Sequence, residues 1–416
     1  MDDRPTVLLL ATPSSYRLAA FVRAASSLSI DVILGIDTTH DAKLFGFTPI
    51  PMAFADPIGA LTQIEALDHT HSALSIIAVD DAAVELAAQA HQRLGNSRNL
   101  PGSDSASRDK RIMRGLFADH GLPTPEWNAF SLDSDPGILG TELPYPVVIK
   151  PTRLNGSRGV IRANDPDEFT RAFHRLRAIL HSEGFPLDEP VALWETFIPG
   201  VEVAVEGLMT DGDLTVLALF DKPDPLDGPF FEETIYVTPS RLEAGIQSAI
   251  ANTTTRMAAA LGIRHGPVHA ELRINDQGVW PIEVAGRSIG GMCSTILEFG
   301  TGITLEELIL RHAIGLRLES TNRSKPAVGV MMIPIPKAGI LKAVHNIEAA
   351  RAAHGVSGIE ISAPLNVPIA PLPEGASYLG FIFAEGTHSV EVEESLRAAH
   401  ALLKIEITPM VSLTPV

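Results

Sequence analysis

"VHAELRINDQGVWPIEVAGRSIGG", residues 268–291, places an apolar run on each side of the turn Asn275–Asp276–Gln277–Gly278. That turn chemistry between two strand-like runs predicts a hairpin. Each strand carries one glutamate, Glu271 and Glu283, and in a hairpin the two can lie close and point the same way. Two carboxylates in a partly buried place repel each other. They need protons, basic partners or a metal ion. All-oxygen ligation suits Mg2+, which usually takes one or two carboxylates plus substrate phosphates. Arg287, four residues after Glu283, suits an oxyanion beside such an ion. A salt-bridged surface hairpin is the competing explanation.

The surrounding chain has 416 residues, 45% of them hydrophobic, enough for two or three cores of ordinary domain size. There is no run of 18 apolar residues, so no spanning helix is predicted. The acidic start Met1–Asp2–Asp3–Arg4 is unlike a signal peptide. Cys293 is the single cysteine, which precludes an internal disulfide and fits a reducing cytoplasm. The formal charge of −18 is spread along the chain without a basic block, which argues against a duplex DNA binder. An anionic substrate would have to be met by a few well-placed Lys and Arg residues.

"TVLLL" (6–10), "DVILGID" (31–37) and "ALSIIAVDD" (73–81) predict strands alternating with helices at "YRLAAFVRAASSL" (16–28) and "AAVELAAQAHQRLG" (82–95). Strand–helix alternation implies a parallel sheet. No G-x-G-x-x-G turn follows the first strand, so no dinucleotide site is expected there. A helix over "SRDKRIMRGLFADHG" (107–121), a strand at "YPVVIKP" (145–151) and a glycine loop at "NGSRG" (155–159) follow. The helix after Asp165 has Pro166 in its first turn, and Glu168 is placed to complete a capping box. A composition shift at "STNRSKP" (320–326) predicts a boundary, with short strands and one helix beyond it. The fold class expected is multidomain α/β and α+β: a parallel α/β domain over 1–100, a larger module over 101–320, and a small α+β domain over 321–416.

Several other residues carry candidate chemistry. Lys110 lies in the first turn of its helix, where the macrodipole disfavours a cation and a bound phosphate would offset it. An exposed lysine beside Asp109 explains it equally. Lys150 ends a buried strand and either reaches into a site or snorkels outward. The loop around Gly156 and Ser157 offers N–H groups to phosphate oxygens, though most such loops are plain turns. Extended backbone from Glu195 to Ile198 can meet the edge of an adenine, and Glu202 can accept from ribose hydroxyls. An ordinary strand edge is the bland alternative.

The order of these features resembles the ATP-grasp superfamily over about residues 100–318. It rests on "SRDK", "YPVVIKPTRLNGSRGV", "LWETFIPGVEVAVEG" and the opening segment. The resemblance implies that Lys110 and Lys150 bind ATP phosphates under the 155–159 loop, within a flap subdomain of about 143–196. It implies adenine at the Glu195–Ile198 backbone, ribose at Glu202, Mg2+ (or Mn2+) at Glu271 and Glu283, and Arg287 on the transferring phosphate. Many members carry asparagine two residues after the second metal glutamate; here that residue is Ala285, which has no side-chain ligand. A small residue there occurs in the branch that resembles L-amino acid ligases. "GPFFEETIYVTPSRL" (228–242) looks like that branch's substrate-side loop, which places Glu233 and Tyr236 near substrate. The segment 375–405 is also similar.

The resemblance implies a cytoplasmic ligase, dimeric with its own copy. It would join a small-molecule carboxylate to an amine through an acylphosphate, with ATP consumed and no nucleic acid or membrane involved. Its rivals are an ATP-grasp enzyme with another acceptor, of the purine-pathway or biotin-carboxylase kind, and a degenerate nucleotide-binding protein. Cys293 has no His/Asp partner pattern around it, so a buried thiol is expected.

Overall fold

The apolar runs at Thr6–Ala11 and Asp31–Ile36 lie side by side in a parallel sheet, in the order Ile50–Pro51, Asp31–Ile36, Thr6–Ala11, Ser75–Ala78. In the computed structural model residues 4–38, 44–71, 74–375 and 377–410 are described; the start at Met1–Asp3 lies outside them. Thr6–Ala11 is buried throughout because helices cover both faces of the sheet. The helices Leu18–Ser27 and Asp81–Arg93 stand where the spacing predicts. A further helix, Pro57–Thr70, was not predicted, although its start is written in Asp56, which accepts from the Gly59 N–H, and in Pro57 at its first turn.

A second, antiparallel sheet joins Trp127–Phe130, Ala192–Thr196, Val147–Pro151 and Ile161–Ala163. The helix Pro166–Ser182 covers it through Phe169 and Phe173, which pack on Phe130. Asp165 caps that helix by accepting from the Glu168 N–H at 2.8 Å. The predicted capping box is corrected in its second half: Glu168 accepts from the N–H of Asn164, one residue before the cap.

The third sheet is the largest, with eight antiparallel strands. Their order is Gly278–Ala285, Gly266–Asn275, Val201–Thr210, Asp213–Lys222, Ile235–Thr238, Ala327–Ile333, Gly380–Gly386 and Val356–Ile361. Ile235–Thr238 pairs directly with Ala327–Ile333, so the sheet runs on across the 320–326 segment. Val203 and Val205 pack on one side under helix Ala244–Ala260, while Ala204 and Leu208 pack on the other with helix Leu305–Ala313. Burial on both faces explains the nearly unbroken apolar run of Val201–Thr210. It makes the two buried charges on that strand, Glu202 and Glu206, conspicuous. Among the described residues no helix is long and apolar enough to cross a membrane. Cys293 is buried and free, as expected.

Candidate functional site

The hairpin forms with Asn275 opposite Gly278, and Glu271 stands directly opposite Glu283. The turn alone does not produce that pairing. Its register, carried from Asn275–Gly278 to Leu272–Pro281, would set Glu271 against Ile282 and turn Glu283 to the other face. A bulge facing the Leu272–Glu271 step, with Ile282 as the extra residue of the opposite strand, brings the carboxylates to the same face. Pro281 sits at that irregularity on the sheet's edge strand, where a missing N–H is tolerated.

Glu271 faces the ammonium of Lys222 at 3.2 Å and His269 Nε2 at 3.5 Å. The same Lys222 donates to Glu202 at 2.8 Å and to Glu233. Arg273 donates to the other oxygen of Glu202 at 2.8 Å. Glu202, Glu233 and Glu271 each offer an oxygen within 4.8 Å of the others. Burial works against the Lys222 charge, but the surrounding carboxylates outweigh it and hold the ammonium well above its usual range. Glu233 is pushed up by burial and then by the charge of Glu271. That cluster already encloses the Lys222 ammonium; the hairpin pair Glu271 and Glu283, which offers only oxygen ligands, is the set that fits a divalent cation such as Mg2+. Ala285 stands opposite His269, which also faces Glu206 at 3.3 Å. Burial alone would lower the His269 pKa, yet Glu206 and Glu271 raise it to about 9.

Facing this acidic wall is a cationic one. Lys150 does not snorkel; it is 6% exposed and lies 2.7 Å from Glu195. Arg114 takes the other Glu195 oxygen at 2.8 Å and donates to the Ile282 carbonyl. Burial draws the Lys150 amine down to about 8 despite Glu195. Burial also resists ionisation of Glu195, but Arg114 and Lys150 bring its carboxyl down to about 2. Lys110 donates to the Leu154 carbonyl at 2.9 Å and lies 3.4 Å from Glu283. Asp109 caps its helix through the N–H groups of Arg111 and Ile112, so a buried anion already offsets a lysine in the first turn.

Gly156 and Ser157 both take positive φ, +62° and +55°, which turns the 155–159 loop over this space. The loop is anchored at both ends: Asn155 donates to Asp81 at 2.9 Å, and the Gly159 N–H donates to the Pro373 carbonyl at 3.0 Å. At the far end the N–H groups of Thr196 and Phe197 donate to Glu126 and Pro146, whereas that of Ile198 has no acceptor among the described residues. Phe231 closes the apolar side.

Lys110, Lys150, Gly156, Ser157, Glu195, Ile198, Glu202, Glu233, Glu271 and Glu283 therefore line one cavity. Arg287 and Tyr236 stand off it. Tyr236 is 2% exposed, with its ring 5.0 Å from the Lys222 ammonium. Arg287 donates through Nε to Asp81 at 2.6 Å and through Nη1 to the Ser288 carbonyl at 2.9 Å, which leaves Nη2 uncommitted. Sequence reasoning missed Lys222, Arg114, Arg273 and Asp81. Lys222 ends an apolar run as Lys150 does, and Arg114 lies one helical turn beyond Lys110. Arg273 is two residues past Glu271, on the same face. Asp81, in another domain, left no signal.

One Asp81 carboxylate holds both Arg287 and the loop residue Asn155. Asp81→Asn is expected to lower kcat roughly 10–100-fold through misplacement of Arg287, with little change in the KM for ATP. Steady-state kinetics decide it; an unchanged kcat refutes the positioning role.

Residues 143–296 match the model of an ATP-grasp domain, and residues 331–408 that of the L-amino acid ligase C-terminal domain 2. The chain carries an ATP-grasp domain. Its fold is that of an L-amino acid ligase from Bacillus licheniformis, with a TM-score of 0.82 at 24% identity over 98% of this chain and 100% of that one. A carboxyaminoimidazole ribonucleotide synthase from asperigillus clavatus, solved with ATP, gives 0.72 at 16% identity over 97% and 99%. In sequence, the chain is 26% identical over 243 residues to the alanine–anticapsin ligase of Bacillus subtilis (strain 168), 54% of this chain and 50% of the relative. A D-alanine–D-alanine ligase of Syntrophotalea carbinolica is 26% identical over 228 residues, 52% and 68%. The chain thus spans about half the length of the anticapsin ligase.

Proposed function

We propose that this chain is an ATP- and Mg2+-dependent ligase that joins a carboxylate, that of an amino acid, to an amine. The observation that carries the proposal is the single cavity in which Lys110 and Lys150 face Glu202, Glu271 and Glu283 beneath a glycine loop. The ligase names of its relatives support it.

In the first step a substrate carboxylate oxygen attacks the γ-phosphorus of ATP, the bond to the bridging oxygen breaks, and ADP leaves. In the second the amine nitrogen attacks the acyl carbon, phosphate leaves, and the nitrogen loses a proton, giving the amide. Lys110, Lys150 and the N–H groups at Gly156 and Ser157 neutralise phosphate oxygens and position them. The Glu195–Ile198 backbone holds adenine, with the unengaged Ile198 N–H as its donor, and Glu202 receives the ribose. Glu271 and Glu283 hold Mg2+, or Mn2+, which when bound neutralises charge on the triphosphate. Arg287 meets the oxyanion in both steps with its uncommitted Nη2. Glu233, and Tyr236 behind Lys222, lie on the substrate side. The 155–159 loop keeps water from the acylphosphate. A division at about residues 100 and 320, a flap over 143–196, a homodimer and a cytoplasmic setting complete the proposal.

Phosphate release with ATP, Mg2+ and all pairs of the twenty amino acids, followed by mass spectrometry, tests it. Release that needs two amino acids, with a product lighter than their sum by one water, is the expected result. Tight ATP binding without turnover on any carboxylate–amine pair would overturn it.

A further inference from the structure

A second cavity, of about 330 Å³, lies away from the nucleotide site, between helix Asp81–Arg93, the segment 96–107 and helix Leu305–Ala313. That volume is in the range of small-molecule sites, and domain junctions are where such sites concentrate. Its walls are largely apolar, with Val84, Ala87 and Ile309 among them.

The polar groups on its rim are mostly satisfied. Arg98 is paired with Asp211 at 2.9 and 3.2 Å, and donates to His265 Nε2 at 2.9 Å. His265 and His312 stack at 4.2 Å between ring centroids, and His312 meets the Thr210 hydroxyl at 2.9 Å. Burial, then His312, pushes His265 down to about 4, so the stacked pair is uncharged at neutral pH.

Two groups are exceptions: His265 Nδ1, which is buried without a hydrogen-bond partner, and Asp104. Asp104 is 8% exposed, and its carboxylate has neither hydrogen bond nor ion pair among the described residues. A carboxylate that lines a cavity without a protein partner offers an acceptor to a cationic donor there. Among the described residues no such donor reaches it: Arg98 is held by Asp211, and Arg108 is paired with Glu85 at 3.0 Å.

We propose that this cavity is a binding site for a small organic ammonium ion, its nitrogen on Asp104 and its carbon body against Val84, Ala87 and Ile309. The cavity also touches Gly286, which lies between Ala285 and Arg287. An occupant therefore presses on the back of the loop that carries Arg287 and is expected to alter turnover without competing with ATP.

The test uses the full chain with saturating MgADP, 2-phenylethylammonium as probe and uncharged 2-phenylethanol as control, followed by calorimetric titration. Saturable binding of the amine is expected, at least tenfold tighter than the alcohol. Asp104→Asn is expected to remove that preference while the protein stays folded, as a thermal melt checks. Ala87→Phe, which fills the cavity and leaves Asp104 in place, is expected to abolish binding. The proposal fails if amine and alcohol bind alike, or if Asp104→Asn binds the amine as wild type does. It fails equally if ADP displaces the amine, or if binding does not saturate by about 10 mM.

Discussion

Replacing Glu283 with glutamine is expected to lower kcat about 10³-fold while the protein stays folded. Glu283 is the more accessible of the hairpin carboxylates, with 30% of its side chain exposed, and its one ion-pair partner among the described residues is Lys110 at 3.4 Å. Glutamine keeps the shape and removes the charge. Little is lost in stability, because a partly exposed pair contributes at most about 1 kcal/mol. The proposed chemistry loses half of the carboxylate pair meant to hold the cation over the triphosphate. The loss is expected in kcat and in the Mg2+ dependence together, and it is read from ADP release across a Mg2+ titration alongside a thermal melt. Turnover at the wild-type rate in a folded Glu283→Gln protein would remove Glu283 from the metal site and undermine the ligase assignment.

Glu195→Gln is expected to act on stability instead. Glu195 is enclosed between Arg114 and Lys150, and all three are buried. Its loss leaves two buried cations without a counter-charge, which costs about 3–5 kcal/mol. That corresponds to a melting temperature lower by roughly 10 °C. The pH dependence identifies the cause. The Glu195 carboxyl lies at about 2 when folded, below its usual 4.5, so its stabilisation is present above pH 4.5 and lost as pH falls toward 2. The variant lacks that acid loss. Lys150 lies at about 8, below its usual 10.5, so its cost is full below pH 8 and relieved as pH rises through that window. Without Glu195 the relief begins at lower pH, and the variant gains on wild type in mild alkali. A variant as stable as wild type at pH 7, with the same acid limb, would show that the triad contributes nothing.

Much of the site was legible in the sequence because its residues sit at ends of strongly patterned elements. Lys150 closes an apolar strand, Lys110 opens a capped helix, and Gly156–Ser157 lie in a glycine turn. Each fixes a local geometry, and their order along the chain limits where they can meet. Lys222, Arg273 and Arg114 were overlooked although each stands at a regular spacing from a residue already chosen. Spacing places a side chain on a face but does not say that the face is enclosed. The continuation of the large sheet from Ile235–Thr238 into Ala327–Ile333 lay beyond local pattern for a similar reason: strand pairing across about 90 residues is a matter of packing.

The chain by itself determined the elements, the hairpin at 275–278 and the identity of the charged groups, because periodicity, caps and turn residues act over a few positions. The tertiary structure decided which of those groups share a space. The bulge before Glu271 is the clearest case. Period-two alternation with the turn's own register sends Glu271 and Glu283 to opposite faces, and the one extra residue, Ile282, reverses that. Asp81 is the other. It opens the helix Asp81–Arg93 of the N-terminal α/β unit, and only the docking of that unit brings its carboxylate to Arg287 and Asn155. Contacts between distant segments are set by how two folded surfaces fit, and local sequence does not carry that information.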